Sequence, residues 1–259
     1  MLPTLVKRWI HNRRGIDDFA RAFYGGMLGS GIGTIESGPM KGLRLVLGRH
    51  VSHAHLSGNY ELETQRALDQ ELRDGFVCYD LGASIGYLTL LMARKASRVF
   101  AFEPAPHATG ELLKHVAAND FGGRVEIVGT PMSDSEREVT FALTDVAYGS
   151  GINDGPTKWP TLKLRSTTLD IFAKSHPAPD LIKIDVEGEE GRVLDGAVEI
   201  LATKRPVIIC EIHSQAAATH VLSVLDRFHY KMFELSGEEY ERGDQKIIPG
   251  CVQVVCRPQ

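Results

Sequence analysis

Five short apolar runs separated by helical patterns, beginning at Val77, constrain this chain more than any other feature of its sequence. The runs occupy residues 77–81, 99–102, 125–128, 181–186 and 207–212, and helices are expected at 87–95, 107–119, 191–201 and 216–228. Strands that alternate with helices pair in parallel, because each crossover must return over the sheet before the next strand can start in the same direction. Two further strand-like runs, 230–235 and 250–256, have no room between them for a full crossover helix, so an antiparallel pair is expected there. The fold class that follows is α/β, a doubly wound, Rossmann-like sheet, mostly parallel, with an antiparallel C-terminal strand.

Residues 139–159, rich in Gly, Asp and Thr, read as an edge hairpin and loop able to reach over a site on that sheet. Upstream, residues 34–47 place a G-P-M-K-G turn between apolar residues, which suggests a covering hairpin. The G-S-G-I-G run at residues 29–33 imitates a nucleotide loop, yet no strongly apolar strand precedes it and no clear helix follows, so it reads as a connection. Residues 2–23 mix Lys7, Arg8, Arg13 and Arg14 with Leu5, Trp9, Ile10 and Phe19 at helical spacing. They read as amphipathic surface helices, and Asp17 and Asp18 dilute a basic face that would otherwise suit a membrane surface. This extension offers a surface for homo-oligomer formation. The organisation expected is an N-terminal segment of helices and hairpin flap, 1–58, ahead of one domain, 59–259.

Composition narrows the function. The chain has 259 residues, 43% hydrophobic and 24% charged, enough for a sizeable single core. A net charge of -4 supplies no broad cationic field, which argues against nucleic acid as a partner. No apolar stretch approaches the roughly 18 residues of a membrane span, so no integral membrane segment is expected. The four cysteines, Cys78, Cys210, Cys251 and Cys256, form no C-x-x-C pair, and Cys78 and Cys210 fall within strand-like runs. They read as reduced core residues of a cytoplasmic protein.

The first strand runs into Asp80-Leu81-Gly82-Ala83-Ser84-Ile85-Gly86 and then into a helix, where glycines let the backbone turn tightly and approach a ligand. The carboxylate of Asp80 would repel a dinucleotide pyrophosphate, whereas it tolerates the ammonium and sulfonium of S-adenosyl-L-methionine. Glu103 ends the second strand about twenty residues beyond the loop, the position of the acidic residue that accepts both ribose hydroxyls in folds of this kind. Pro104 then stops the strand. An NAD-binding oxidoreductase is the competing reading, and it lacks the G-x-G-x-x-G spacing.

At this point the chain resembles the FkbM family of class I methyltransferases. The resemblance is carried by V-C-Y-D-L-G-A-S-I-G-Y-L-T-L from Val77, G-N-Y-E-L-E from Gly58, F-E-P from Phe102, T-L-D from Thr168 and L-I-K-I-D-V-E-G-E-E from Leu181. It covers roughly residues 35 to 235 and departs at Ser84, where the family usually carries asparagine. What it implies is a class I methyltransferase sheet, S-adenosyl-L-methionine as cofactor, and O-methylation of a hydroxyl on a sugar, glycolipid, polyketide or similar small molecule. It further implies that Tyr60 and Glu61 close over the cofactor from the flap side. Ser133 is placed with the cofactor residues as well, alongside Asp80, Gly82, Ser84, Gly86, Glu103 and Asp185.

Methyl transfer to an alcohol needs positioning and removal of a proton. Asp185 and Glu187 are two apart at the end of the fourth run, as are Glu211 and His213 at the end of the fifth, so each pair is expected to share a strand face beside the ligand crevice. His213, which must be neutral to work, is the expected general base, titrating near 6.5 unless neighbouring carboxylates raise it, with Asp185 positioning the hydroxyl and Asp185 or Glu211 the next candidates for the base. Lys183 is expected to pair with one of these carboxylates. Asp185, Glu187, Glu211 and His213 also have the chemistry of a divalent cation site, not required by the reaction. Glu189 and Glu190 read as the acidic start of a helix. His50, His53 and His55 lack a matching Cys or acidic ligand and read as lid residues. A scaffold that binds cofactor without turnover is the remaining alternative. A hydroxyl acceptor is preferred to an amine because the expected site offers carboxylates and an imidazole in place of an aromatic cage.

Overall fold

A computed structural model describes residues 31–144, 149–240 and 252–259, and the expectations for residues 2–23, for the start of the glycine run and for Cys251 lie outside them. In chain order the elements begin with a hairpin, β1 (Ile32–Thr34) and β2 (Arg44–Val46), and two helices, α1 (His53–Ser57) and α2 (Leu62–Glu71). Then come β3 (Val77–Leu81), α3 (Tyr87–Ala93), β4 (Arg98–Phe102), α4 (Pro106–Ala118) and β5 (Val125–Val128). An insertion follows, with β6 (Glu138–Ala142), β7 (Gly151–Ile152), β8 (Thr161–Arg165) and α5 (Leu169–Ala173). The chain then makes β9 (Leu181–Ile184), α6 (Glu190–Asp195), α7 (Val198–Thr203), β10 (Val207–Ile212), α8 (Gln215–Arg227), β11 (Tyr230–Glu234) and β12 (Val252–Pro258).

The main sheet has seven strands in the order β11-β12-β10-β9-β3-β4-β5. β10, β9, β3, β4 and β5 pair in parallel, and β12 lies antiparallel between β10 and β11. From β3 the chain moves outward to β4 and β5, then crosses back to lay β9 on the other side of β3. That reversal opens a crevice at the carboxyl ends of β3 and β9, where ligands bind in open α/β sheets.

Alternation along the strands feeds two cores. Tyr79, Leu81, Ile182, Ile184, Ile208 and Cys210 face α6, α7 and α8, packing on Val193, Leu194, Leu201, Val221 and Leu225. Cys78, Val99, Ala101, Leu181, Ile209 and Val255 face the other way, against Leu68, Leu90, Leu91, Leu112 and Val116 of α2, α3 and α4. A sheet covered on both faces explains why β9 is buried at all four positions, Lys183 included, rather than at alternate ones. Cys78, Cys210 and Cys256 are buried free thiols. No helix among the described residues is long and apolar enough to cross a membrane.

The hairpin expected at 34–47 is present, with Ile32 opposite Val46, and it packs on α4 through Asn119, whose side chain exchanges hydrogen bonds with the Arg44 backbone. The edge hairpin is a separate three-stranded sheet in the order β7-β6-β8. Two expectations shift. The helix over 191–201 is two helices, because the chain at Gly196 passes so close to the Ser133 carbonyl oxygen that a Cβ there would lie 2.3 Å from it. Asp170 restarts the second helix by accepting from the amides of Glu199 and Ile200 at 2.9 and 3.0 Å. The strand expected over 181–186 ends at Ile184, where the amide of Asp185 donates to Leu81 and the backbone turns away.

Candidate active site

The turn after β3 is built from left-handed backbone: Gly82 at φ 71°, Ser84 at φ 50° and Gly86 at φ 85°. A Cβ on Gly82 would lie 1.7 Å from the carbonyl oxygen of Asp185, so only glycine lets β3 and β9 end side by side. Gly86 caps α3, and a side chain there would strike Leu112 of α4 at 2.1 Å. Glu103, buried at the end of β4, ties to this turn. Its Oε2 accepts from the Ser84 amide at 2.8 Å and its Oε1 from the Ala105 amide at 2.7 Å. Burial pushes its carboxyl up to about 7, against the pull of those two amides toward the charged form.

Lys183, on β9, is buried with its Nζ 3.1 Å from the Gly82 carbonyl oxygen, 3.0 Å from Asp185 Oδ2 and 3.8 Å from Asp80 Oδ1. Burial alone would lower an ammonium, but the carboxylates of Asp185, Asp80 and Glu61 outweigh it and hold Lys183 well above the usual lysine range. Asp80 is completely buried; Thr89 donates to its Oδ2, and its Oδ1 accepts no hydrogen bond from the described residues. Burial raises its pKa, with Lys183 opposing. Glu61, which precedes α2 at φ 47°, is likewise raised by burial and restrained by Lys183.

Two clefts flank the turn. One is lined by Phe102, Glu103, Pro104, Met132, Phe141 and Ile152, the last two from the insertion sheet. The other is lined by Tyr60, Glu61, Asp80, Ser84 and Lys183, with His50 and His55 at its flap side. Gly82 and Asp185 border both. The His55 ring stacks on Tyr60 at 4.0 Å, and burial lowers its pKa to about 4, so it packs as a neutral ring. His50 pairs with Glu111 at 2.7 Å.

Beyond Asp185 lies a second charged cluster. His213 Nδ1 is 2.7 Å from Glu190 Oε1, and its Nε2 lies 3.5 Å from Asp185 Oδ1, 3.5 Å from Glu187 Oε2 and 3.8 Å from Glu211 Oε1. Burial by itself would lower His213, but the Glu190 hydrogen bond and the surrounding carboxylates raise it to about 9. The surrounding carboxylates thus raise the imidazole above 6.5, the case in which the expected inflection moves upward. The pairs also converge for a different reason from the one expected. Asp185 and His213 stand just past the ends of β9 and β10, and Glu187 sits in a turn at φ 57°, so turns rather than a shared strand face bring them together. Among the described residues, Asp185, Glu211 and His213 each offer an atom within 4.8 Å of the others, and Glu187 falls outside that group.

Ser133 lines neither cleft. Its hydroxyl is buried and donates to Glu189 Oε2 at 2.8 Å, and the neighbouring Met132 takes its place on the cleft wall. Gly86 borders neither cleft either, its flanking residues Ile85 and Tyr87 doing so. Sequence reasoning missed Glu190 as a partner of His213, since a carboxylate in the first turn of a helix is explained by the helix alone; the signal available was its place in the E-G-E-E end of the strand motif.

The sequence profile of the methyltransferase FkbM domain matches residues 80–232. The hexuronic acid methyltransferase AglP of Haloferax volcanii is 30% identical over 165 residues, covering 64% of this chain and 67% of that protein. The 31-O-demethyl-FK506 methyltransferase FkbM of Streptomyces tacrolimicus is 26% identical over 226 residues, covering 72% of this chain and 87% of that one. Among solved structures, methyltransferase FkbM from Methylobacillus flagellatus is 18% identical, with a TM-score of 0.46 over 80% of this chain and 56% of its own.

Proposed function

Since the chain belongs to the FkbM family of methyltransferases, we propose that its two clefts together hold S-adenosyl-L-methionine and that it methylates a hydroxyl of a small molecule such as a sugar acid or a polyketide. The observation that carries this reading is that Gly82 and Asp185 border both clefts, so a ligand spanning them has its middle beside Asp185. The residues fit such a ligand. The wall of Phe102, Pro104, Met132, Phe141 and Ile152 suits a flat base, and Glu103 keeps lone pairs for ribose hydroxyls. Asp80 Oδ1, without a hydrogen-bond donor, and Glu61 suit an ammonium. When bound, the sulfonium supplies an electrophilic methyl group.

The chain's part is then to position and deprotonate. Gly82 allows the close approach, Glu103 fixes the nucleoside end, and the Lys183 ammonium orients the Asp185 carboxylate through Oδ2. Asp185 Oδ1 is turned toward His213 and the acceptor side, so it is the group to accept the hydroxyl hydrogen as the methyl bond forms. His213, held through Nδ1 by Glu190, stands with its Nε2 on the acceptor side of Asp185. The acceptors named for the two relatives suggest where to look. The test is a tritiated-methyl transfer screen over hexuronic acids, other sugars, glycolipids and polyketide aglycones, with product mass spectrometry, beside titrations with S-adenosylhomocysteine and NADH. Binding of NADH alone, or methyl on nitrogen, would overturn the reading.

A further inference from the structure

We propose that Asp185, Glu211 and His213 form a divalent cation site, with Glu190 as the residue that aims the imidazole at the ion. The first ground is a shared pattern of anchoring. Asp185 is held through Oδ2 by Lys183 and turns Oδ1 to the centre, while Glu211 is held through Oε2 by Gln253 at 2.7 Å and turns Oε1 there. His213 is held through Nδ1 by Glu190 and turns Nε2 there. Each group thus has one atom on a fixed partner and another within 4.8 Å of its counterparts, as metal ligands do when outer residues orient them.

The second ground is distance. Separations of 3.5 and 3.8 Å from Nε2 to Asp185 and Glu211 are too long for hydrogen bonds, whose donors and acceptors sit about 2.7–3.2 Å apart. Ligand atoms about 2.0–2.2 Å from one ion lie roughly 3–3.6 Å from each other, and the three ligand atoms here lie within 4.8 Å of one another, so the group would draw together around the ion.

Glu190 is the third and independent ground. It is completely buried, its Oε1 receives the Gly188 amide and sits on His213 Nδ1, and its Oε2 has no hydrogen-bond partner among the described residues. A carboxylate buried behind an imidazole is the arrangement that presents the opposite nitrogen to a metal. The ligand set, one imidazole and two carboxylates, suits Mn²⁺ or Zn²⁺ better than Ca²⁺, and it leaves coordination positions for substrate oxygens. Glu187, whose Oε1 is held by the Gly149 amide, stands beside the site and can reach the ion through a water. The use of the ion, lowering the acceptor hydroxyl's pKa, rests on the methyl-transfer reading; its binding does not.

The test is titration of the chelator-stripped full chain with MnCl₂, following free Mn²⁺ by electron paramagnetic resonance, in wild type, Glu211→Gln, His213→Ala and Glu190→Gln. Glu211→Gln keeps the shape and the Gln253 contact, so folding is not at issue there. One ion per chain is expected, bound at least tenfold more weakly in Glu211→Gln and His213→Ala, and about 10- to 100-fold more weakly in Glu190→Gln. No uptake up to millimolar Mn²⁺, or equal uptake by Glu211→Gln and His213→Ala, overturns the site. S-adenosylhomocysteine titration of the same samples separates the two readings: its binding without Mn²⁺ uptake sinks only the ion, and Mn²⁺ uptake without it sinks only the methyl-transfer reading.

Discussion

The backbone amide of Ser84 donates to the Glu103 carboxylate across 2.8 Å, so the turn after β3 and the end of β4 are one hydrogen-bonded unit. Ser84 holds that amide in place at φ 50°, a conformation that asparagine adopts more readily than serine. The family's usual asparagine and the serine here therefore meet the same backbone demand, at some cost to the serine.

On the proposed function, Glu103 should make cofactor binding depend on pH. Its carboxyl is raised from 4.5 to about 7 by burial, so between those values the folded chain holds a proton that the unfolded chain has released, and its contribution to stability falls as pH rises through that window. Ribose hydroxyls favour the carboxylate, so binding expels the proton. Affinity for S-adenosylhomocysteine should be flat above about pH 7.5 and fall below 7, by up to about tenfold per unit. Calorimetry at several pH values checks this, and Glu103→Gln should remove the slope. A variant that keeps the wild-type slope would place the titrating group elsewhere.

Two glycines with similar dihedrals should respond very differently to alanine. Gly75 (φ 82°) has open space where a Cβ would stand, so Gly75→Ala should cost only the left-handed backbone, about 1–2 kcal/mol, or a few degrees of Tm. Gly82 (φ 71°) adds the collision with the Asp185 carbonyl oxygen. Gly82→Ala should give insoluble protein or a Tm at least about 10 °C lower, and equal Tm values for the two variants would contradict this account of the turn.

Lys183→Met leaves Asp80 and Asp185 without their nearest cation. Because the ammonium is buried, the loss should be about 3–5 kcal/mol by urea unfolding at pH 7. Adding Asp80→Asn should recover part of it. If the single variant is as stable as wild type, the three groups are not coupled as described.

Asp185→Asn should lower methyl transfer to the identified acceptor by about 10²-fold or more, with S-adenosylhomocysteine affinity within a few fold. Loss of affinity matching the loss of turnover would make Asp185 a cofactor residue only.

The sheet is readable from the sequence where short apolar runs stand between helical patterns. Val77–Leu81, Val125–Val128 and Val207–Ile212 lie where the apolar runs put them, because no competing pattern fills those windows. The break in the helix expected at 191–201 is not legible, since the close pass at Gly196 and the cap from Asp170 are contacts with distant segments. That cap also gives the T-L-D motif a structural role, in which Thr168 accepts from Ile171 at 3.1 Å to start α5 and Asp170 starts α7. The turn after β3 and its tie to Glu103 are legible because glycine and acidic positions recur at fixed offsets from strand ends. The Glu190–His213 pair is not, since its members are 23 residues apart and nothing in the spacing joins them.

β12 lies between β10 and β11, although it is the last of the three to be made. β11 therefore reaches the rest of the sheet only through β12, its antiparallel partner. The same segment brings Gln253 opposite Glu211, where its amide holds the carboxylate while its own carbonyl receives the Thr64 hydroxyl. The strand that joins β11 to the sheet thus also supplies the contact that orients Glu211, which ties the integrity of that sheet edge to the geometry of the charged cluster.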